Sequence, residues 1–194
     1  MAAGISSRWR RSANARSGAS GEIVIEPAAD FVTKRLAMEA LVPTHAPLLF
    51  EKLSDPELYQ YLEVSPPLSV DALALQYKIW STRRSPDGRD RWLNWAVRLR
   101  DADDYVGWLQ STVYSSGSAD IAYVIFTAHQ RNGFALEACQ GLVDHLRRRY
   151  GVSKYAATID ANNAASIRVA ERLGMHRTPS APKSTELRFV MKHS

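Results

Sequence analysis

The sequence predicts a mixed α/β domain built on a mostly antiparallel central sheet. Three β-rich runs, LNWAVRL, DYVGWLQSTVY and ADIAYVIFT, are separated by short polar turns, which is typical of an antiparallel meander. Two helical segments precede the meander, and a helix, a short strand, a second helix and an alternating strand follow it. This order predicts a sheet that is antiparallel at first and then takes a helical crossover.

The segment before the meander is predicted to contain one strand and two helices. Residues 31–41 (FVTKRLAMEAL) roughly alternate apolar and polar side chains, as a strand does. The first helix is expected to begin at a Thr44 cap, with a turn near Asp55. The second, over 69–84, has a Ser69 cap and apolar residues at helical spacing. A polar loop, SPDGRD, follows it.

The chain after the meander alternates helices and strands. Residues 135–150 place apolar side chains on one stripe, so this helix is expected to pack on the sheet with Cys139 in the core. YAATI (155–159) is predicted to be a short strand. NAASIRVAERLG is predicted to be a helix capped by Asn163, with Gly174 just past its end. TELRFVMK closes the chain as a strand.

Composition and charge limit the classes of function. The 194 residues are 45% hydrophobic, which fits a single domain over residues 23–194. The net charge is +5, but four arginines in residues 1–20 supply most of it and leave the body near +1. Nucleic acid is therefore an unlikely partner. No apolar run approaches the roughly 20 residues needed to span a bilayer. The single cysteine favours a reducing, cytoplasmic compartment.

Residues 1–22 are expected to form a disordered basic tail. They are rich in Ser, Ala, Gly and Arg and have little to bury. Residues 1–20 contain no acidic residue, which also fits an organelle transit peptide, and a nucleic-acid arm is a third interpretation. An extension of a cytosolic protein is the reading that the composition favours.

A turn at Gly133, directly before the 135–150 helix, is a candidate anion site. The first amides of a helix have no carbonyl partner within it, and the helix dipole favours negative charge there. A glycine removes the side chain that would block a phosphate. Gly133 could equally be needed only for the strand-to-helix turn. The segment lacks the Gly-Lys-Ser/Thr of a P-loop and the three glycines of a dinucleotide fold.

Two motifs resemble those of the GNAT acyl-CoA N-acetyltransferases. QRNGFA (130–135) fits the pattern Q/R-x-x-G-x-G/A, and DANNAASIRVAERLGM (160–175) is similar to the second motif, Asn-x-x-Ser before a helix ending in Leu-Gly-Met/Phe. The block SADIAYVIFTAHQRNGFALEA resembles the RimJ/RimL-like branch, which acetylates protein N-termini and other amines. The likeness covers roughly 31–192. It implies the GNAT fold, with splayed central strands and helices on both faces.

The resemblance also implies where acetyl-CoA binds. The exposed edge of one splayed strand would hold the pantetheine through the backbones of Tyr123, Val124, Ile125 and Phe126. An open strand edge offers unpaired N–H and C=O groups to such an amide-rich ligand. The pyrophosphate would bind the amides of Arg131, Asn132, Gly133, Phe134 and Ala135. Asn163 would either bind the amide of the arm or serve purely as a helix cap.

Asp120 and Ser166 are the candidate catalytic residues. Asp120 occupies the place where RimL-like members often have Glu, so it could take a proton from the amine or bind its charge. Many members use a helical tyrosine to protonate the departing thiolate, but this sequence has Ala170 there. Ser166 is the implied substitute, or it binds cofactor or helix backbone instead. A strand amide near Val124 could bind the oxyanion.

The predicted function is acetyl transfer to a primary amine, in particular the α-amine of a peptide N-terminus. A small amine such as an antibiotic or a polyamine is the alternative acceptor, and it would favour an acidic groove. A noncatalytic acyl-CoA-binding module is the alternative from another class, and an apolar groove without a reachable carboxylate would favour it. No metal is expected, and the chain could be a monomer or a homodimer.

Overall fold

A computed structural model describes residues 2–3, 30–62, 64–179 and 185–192. These residues form one sheet with two α-helices on each face, which confirms the predicted fold class. The strands are β1 (Ala2–Ala3), β2 (Phe31–Val32), β3 (Leu36–Ala40), β4 (Arg91–Leu99), β5 (Tyr105–Val113), β6 (Ser118–Ile125), β7 (Lys154–Asp160), β8 (His176–Arg177) and β9 (Glu186–Lys192). The α-helices are α1 (Ala46–Leu53), α2 (Val70–Trp80), α3 (Phe134–Tyr150) and α4 (Ala164–Arg172). None of the helices in this part of the chain is long and apolar enough to cross a membrane.

The strands lie in the order β2-β3-β4-β5-β6-β7-β9-β8, with β1 pairing off this path with β6. The pairs along this path are antiparallel except β6 and β7, which are parallel. Parallel neighbours need a long crossover, and α3 supplies it. The predicted meander (β4 to β6) and helical crossover are both confirmed.

Two cores lie on opposite faces of the sheet. Helices α3 and α4 pack against the face that carries Tyr123 and Ile125, and Cys139 is buried there as predicted. Helices α1 and α2 pack against the face that carries Trp108 and Val124. Because successive side chains of a strand point to opposite faces, β6 contributes to both cores. We call the segment from α1 to α2 the helical insert.

The local predictions before the meander needed correction. Residues 31–41 form two strands joined by a tight turn, in which the Thr33 amide donates to the Leu36 carbonyl. The prediction of a Thr44 cap is wrong, because a 3-10 turn over Pro43–His45 leads into α1 without a side-chain cap. Ser69 does cap α2, since its hydroxyl accepts a bond of 3.1 Å from the amide of Ala72.

The expected disordered tail lies almost wholly outside the described residues. Of residues 1–22, the structure describes Ala2 and Ala3, which form β1 and pair with Val124 and Tyr123 of β6. Disorder of the rest therefore stays a prediction.

Candidate functional site

Strands β6 and β7 diverge in the middle of the sheet. They pair from Ser118–Asp120 to Lys154–Ala156, and β7 then continues beside β9 to its end. The remainder of β6, residues 121–125, therefore has an edge that β7 does not cover. Strand β1 pairs with this edge, which shows that it accepts an extended chain through backbone hydrogen bonds.

The loop after β6 has the geometry of an anion site. Arg131 and Gly133 both have left-handed backbones, with φ of 66° and 79°, and α3 begins at the next residue, Phe134. Successive amides in such a conformation form a concave nest for an anion, and the dipole of α3 adds positive potential. The Asn132 side chain braces the loop by donating to the carbonyls of His129 and Gln130, each at 3.2 Å.

Arg35 places a positive charge beside this loop. Its Nη1 donates to the Asn132 carbonyl at 3.1 Å, and its guanidinium lies 4.6 Å from the centre of the Phe134 ring. Its Nε also pairs with Glu137 at 2.6 Å. Burial would raise the pKa of Glu137, but bonds from Thr33 and Arg35 outweigh it and lower that pKa. Sequence reasoning missed Arg35, because it lies 97 residues before Asn132 and in no motif.

Asp120 lies where β6 leaves β7. Its carboxylate accepts a hydrogen bond from the Tyr114 hydroxyl at 2.9 Å and from Nη2 of Arg188 at 2.7 Å. Burial raises the pKa of Tyr114, and the charge of Asp120 raises it further, so this phenol stays a donor. The carboxylate is thus fixed in position at the point where the two strands separate.

Ser166 and Asn163 lie at the start of α4 and are almost fully buried. The side-chain Oδ1 of Asn163 accepts a hydrogen bond of 3.1 Å from the backbone amide of Ser166, so the role of Asn163 as a helix cap is confirmed. The hydroxyl of Tyr123 lies against Ser166, and burial raises the pKa of that phenol. Ala170, in the place of the usual tyrosine, is buried in the core.

The described acids of the helical insert do not form an acidic groove, and Glu63, which also belongs to this segment, lies outside the described residues. Glu51, Glu57 and Asp71 are exposed on its surface. The carboxylate of Asp55 binds the Thr127 hydroxyl and the amide of Glu57, which ties the insert to the segment after β6. Between the insert and the sheet lies an apolar cavity that includes Trp108 and Val124.

Other titratable groups have structural partners. His129 is half-buried, and its Nε2 lies 3.1 Å from Oδ2 of Asp104. Burial raises the pKa of the Cys139 thiol to about 12, which suits a core residue and not a nucleophile. Across the described ranges, no three His, Cys, Asp or Glu side chains gather in a group that could hold a metal ion.

Comparisons with known proteins agree with this geometry. Residues 35–176 match the family model of the acetyltransferase (GNAT) domain. The Bacillus subtilis protein YkkB is 27% identical over 154 residues, covering 78% of this chain and 88% of its own. A RimL ribosomal L7/L12 α-N-protein acetyltransferase in complex with CoA aligns with a TM-score of 0.71 and 17% identity over 83% of this chain and 96% of its own. A Vibrio cholerae spermidine N-acetyltransferase in complex with CoA and spermine aligns with a TM-score of 0.68 and 16% identity. The alignment covers 81% of this chain and 95% of that protein.

The family model covers well over half of the chain, and it includes β6, the loop at Gly133, and α4. The chain therefore belongs to the GNAT family and is an acyl-CoA-dependent N-acetyltransferase.

Proposed function

We propose that the protein transfers the acetyl group of acetyl-CoA to the α-amine of a peptide or protein N-terminus. The observation that carries this proposal is the alignment of three features along β6. They are the carboxylate of Asp120 where β6 leaves β7, the edge of β6 that β7 does not cover, and the left-handed loop at Gly133. A long cofactor with an anion at one end and a thioester at the other fits that order.

The cofactor is proposed to run along β6 from its end toward its beginning. The pyrophosphate binds the amides of Arg131 to Ala135, with the charge of Arg35 beside it. The pantetheine follows the backbone from Phe126 to Tyr123, in the manner of an added strand. The thioester then reaches the region next to Asp120. Asn163 caps α4 and so holds the start of that helix beside the arm.

The reaction needs a neutral amine and a stabilised leaving group. An α-amino group has a pKa of about 7.7–8.0 and a lysine side chain about 10.4. A larger fraction of an N-terminal amine is therefore neutral near pH 7, and its deprotonation needs a weaker base. Asp120 binds the amine and receives its proton directly or through one water molecule. Ser166 donates to the departing sulfur, and the nitrogen–carbon bond forms as the carbon–sulfur bond breaks.

The acceptor class is supported by the neutral cavity beside Val124 and by the resemblance to the RimJ/RimL-like branch. Structural relatives differ in acceptor, since one acts on a ribosomal protein and another on spermidine. A polyamine remains the second candidate, and the observation in its favour is the carboxylate of Asp120 near the thioester. A polyamine, however, carries several charges, and the described residues that line the cavity include no charged side chain to match them.

An acceptor screen tests the proposal. Free thiol released from acetyl-CoA would be measured with short peptides, spermidine and an aminoglycoside, and acetylated products would be identified by mass spectrometry. We expect one thiol released for each acetylated α-amine, with peptides the best acceptors. Faster turnover of spermidine would contradict the acceptor class, and no acetylation of any amine would contradict catalysis.

Ser166→Ala is expected to lower kcat about tenfold or more while the Kd of acetyl-CoA changes little. A donor that acts on charge formed during the reaction stabilises the transition state and not the ground state. Steady-state kinetics with the best acceptor measures kcat, and calorimetry with CoA measures the affinity for the cofactor. Tyr123→Phe is the companion variant, because it removes the neighbouring hydroxyl and keeps the backbone. Equal losses of kcat and affinity in Ser166→Ala would mean that Ser166 only positions the cofactor.

Deletion of residues 1–20 is expected to preserve kcat, because the predicted catalytic groups lie in the body of the domain. The KM for acetyl-CoA should be equal to or below that of the full chain, since β1 pairs with the edge proposed for the pantetheine. Steady-state kinetics of the shortened chain measures both. A loss of turnover at unchanged acetyl-CoA affinity would show that the tail helps to bind the acceptor.

A further inference from the structure

A cavity of about 100 Å³ lies between the helical insert and the sheet. The insert supplies one wall, and Trp108 of β5 and Val124 of β6 supply the other. The side chain of Val124 therefore faces the cavity, while its backbone belongs to the edge proposed for the pantetheine. A group in this cavity would lie beside the acetyl donor.

The described lining of this cavity is mostly apolar and includes no charged side chain; Ser65 and Gln76 are polar members besides the tyrosines. Tyr77, Trp80 and Trp108 form an aromatic wall, with neighbouring ring centres 5.6 and 6.3 Å apart. The hydroxyl of Tyr59 donates to the Leu53 carbonyl at 2.7 Å, so its polar end is already bonded. Burial, with a smaller contribution from Asp55, raises the pKa of Tyr59 to about 12, so it is neutral at physiological pH. An ammonium group would lose its hydration here without gaining a carboxylate.

Two buried carboxamides lie on the same face of the sheet. Asn94 and Gln110 are opposite each other on β4 and β5, and each is 4% exposed. Within the described part of the chain, Nδ2 and Oδ1 of Asn94 and Oε1 of Gln110 have no hydrogen-bond partner. Buried polar atoms without partners destabilise a fold, so they often serve a ligand. Nδ2 of Asn94 can donate to the C=O of a peptide group, and the two side-chain oxygens can accept from its N–H.

The register places these groups between the cavity and the carboxylate. Along β6, Asp120, Ala122 and Val124 share one face, and Ala122 is opposite Gln110. Alternate residues of a strand are about 7 Å apart, so along the strand direction the amide pair is level with Ala122, one such step from Asp120 and one from Val124. Across the sheet, Gln110 is one strand and Asn94 two strands away from β6. Ala122 occupies the middle position of this face with a small side chain, and it is buried. An N-terminal residue centred there can direct its amine to one side and its side chain to the other.

We propose that the acceptor is a peptide whose first residue has an uncharged, unbranched or γ-branched apolar side chain of the size of methionine or leucine. That side chain fills the cavity, and the first peptide group binds Asn94 and Gln110. A cavity of roughly 150 Å³ can hold benzene, so the smaller space here suits leucine or methionine. This inference rests on the proposed acetyl transfer and names its acceptor class.

Peptides that differ only in their first residue test the inference. With Leu, Met, Phe, Gly, Lys and Asp at that position, kcat/KM should be about tenfold or more higher for Leu and Met than for Gly, Lys or Asp. Equal kcat/KM for all the peptides, or a higher kcat/KM for the Lys or Asp peptide, would overturn the proposed preference for an apolar first residue. Acetylation of none of the peptides and of no other amine would instead be a failure of the proposed acetyl transfer.

Gln76→Glu adds a charge to the cavity lining without changing its size. This variant should lower kcat/KM for the leucyl peptide about tenfold. It should raise the kcat/KM of the lysyl peptide relative to that of the leucyl peptide. Gln140→Glu is the matched control, because Gln140 is exposed on α3 at the opposite face. Parallel effects of the two variants on both peptides would contradict the cavity as the side-chain site.

Asn94→Leu keeps the branching of the side chain and removes its unpartnered atoms. The melting temperature should rise, while kcat/KM for the leucyl peptide falls about tenfold. Isoamylamine has the leucine side chain but no peptide group, so Asn94→Leu should acetylate it at the same rate as the wild-type protein does. Gln110→Met gives the same comparison if Asn94→Leu folds poorly. Equal losses for peptide and isoamylamine would overturn the role of the amide pair.

Discussion

Gly133→Asp is expected to weaken CoA binding about a hundredfold, with a loss of only about 1 kcal/mol in the free energy of unfolding. The carboxylate would lie within the proposed nest, where it repels the pyrophosphate. A Cβ at this position is also 3.5 Å from Nη2 of Arg35, so the new carboxylate would compete with the pyrophosphate for this guanidinium, which already pairs with Glu137. Both effects act in the same direction. Calorimetry with CoA measures the affinity.

Gly133→Asn is the matched control for charge. Asparagine has nearly the shape of aspartate and tolerates a left-handed backbone, which this position requires at φ 79°. We expect it to retain most of the affinity for CoA. If Asn and Asp weakened binding equally, backbone strain and not repulsion would be the cause. Unchanged affinity in Gly133→Asp would remove the pyrophosphate from this loop.

Asp120→Asn is expected to lower kcat about a hundredfold at pH 7, with little change in the Kd of acetyl-CoA. The amide can still accept a bond from Tyr114 but cannot take a proton. Below the acceptor pKa of about 7.7–8.0 the amine is mostly charged, so the variant should suffer most there. As the pH rises above that pKa, the ratio of wild-type to variant kcat should shrink. Rates from pH 6 to 10 measure this.

Asp144→Asn is the control for loss of one carboxylate. Asp144 is on α3 and pairs with Arg147 at the surface, so kcat should be unchanged. A ratio for Asp120→Asn that stays constant with pH would mean that the carboxylate binds the amine by charge and takes no proton. Full kcat in Asp120→Asn would exclude both roles.

The sequence was sufficient for those parts of the fold that local patterns determine. Short-range physical causes explain the features that were predicted correctly. These are the apolar stripe of α3, the caps at Ser69 and Asn163, and the left-handed Gly174 after α4. The split of residues 31–41 was missed, because its turn contains no glycine or proline. Thr33 stabilises it with its own side chain, whose hydroxyl accepts from the amide of Leu36.

The motifs located the loop at Gly133 and the start of α4, but not what surrounds them. Arg35 reaches the loop from the turn before β3, and Arg188 reaches Asp120 from β9, so no local spacing predicts these contacts. The pairing of Asn94 with Gln110 likewise depends on strand register. Such positions follow from tertiary packing, which a single sequence does not display.

Hydrogen–deuterium exchange with and without CoA tests the placement of the cofactor most directly. We predict that CoA slows exchange at the amides of residues 131–135 and along the edge of β6 at residues 123–126, with smaller changes at the start of α4. Protection confined to other elements, such as the β8–β9 end of the sheet, with residues 131–135 unchanged, would contradict the proposed site.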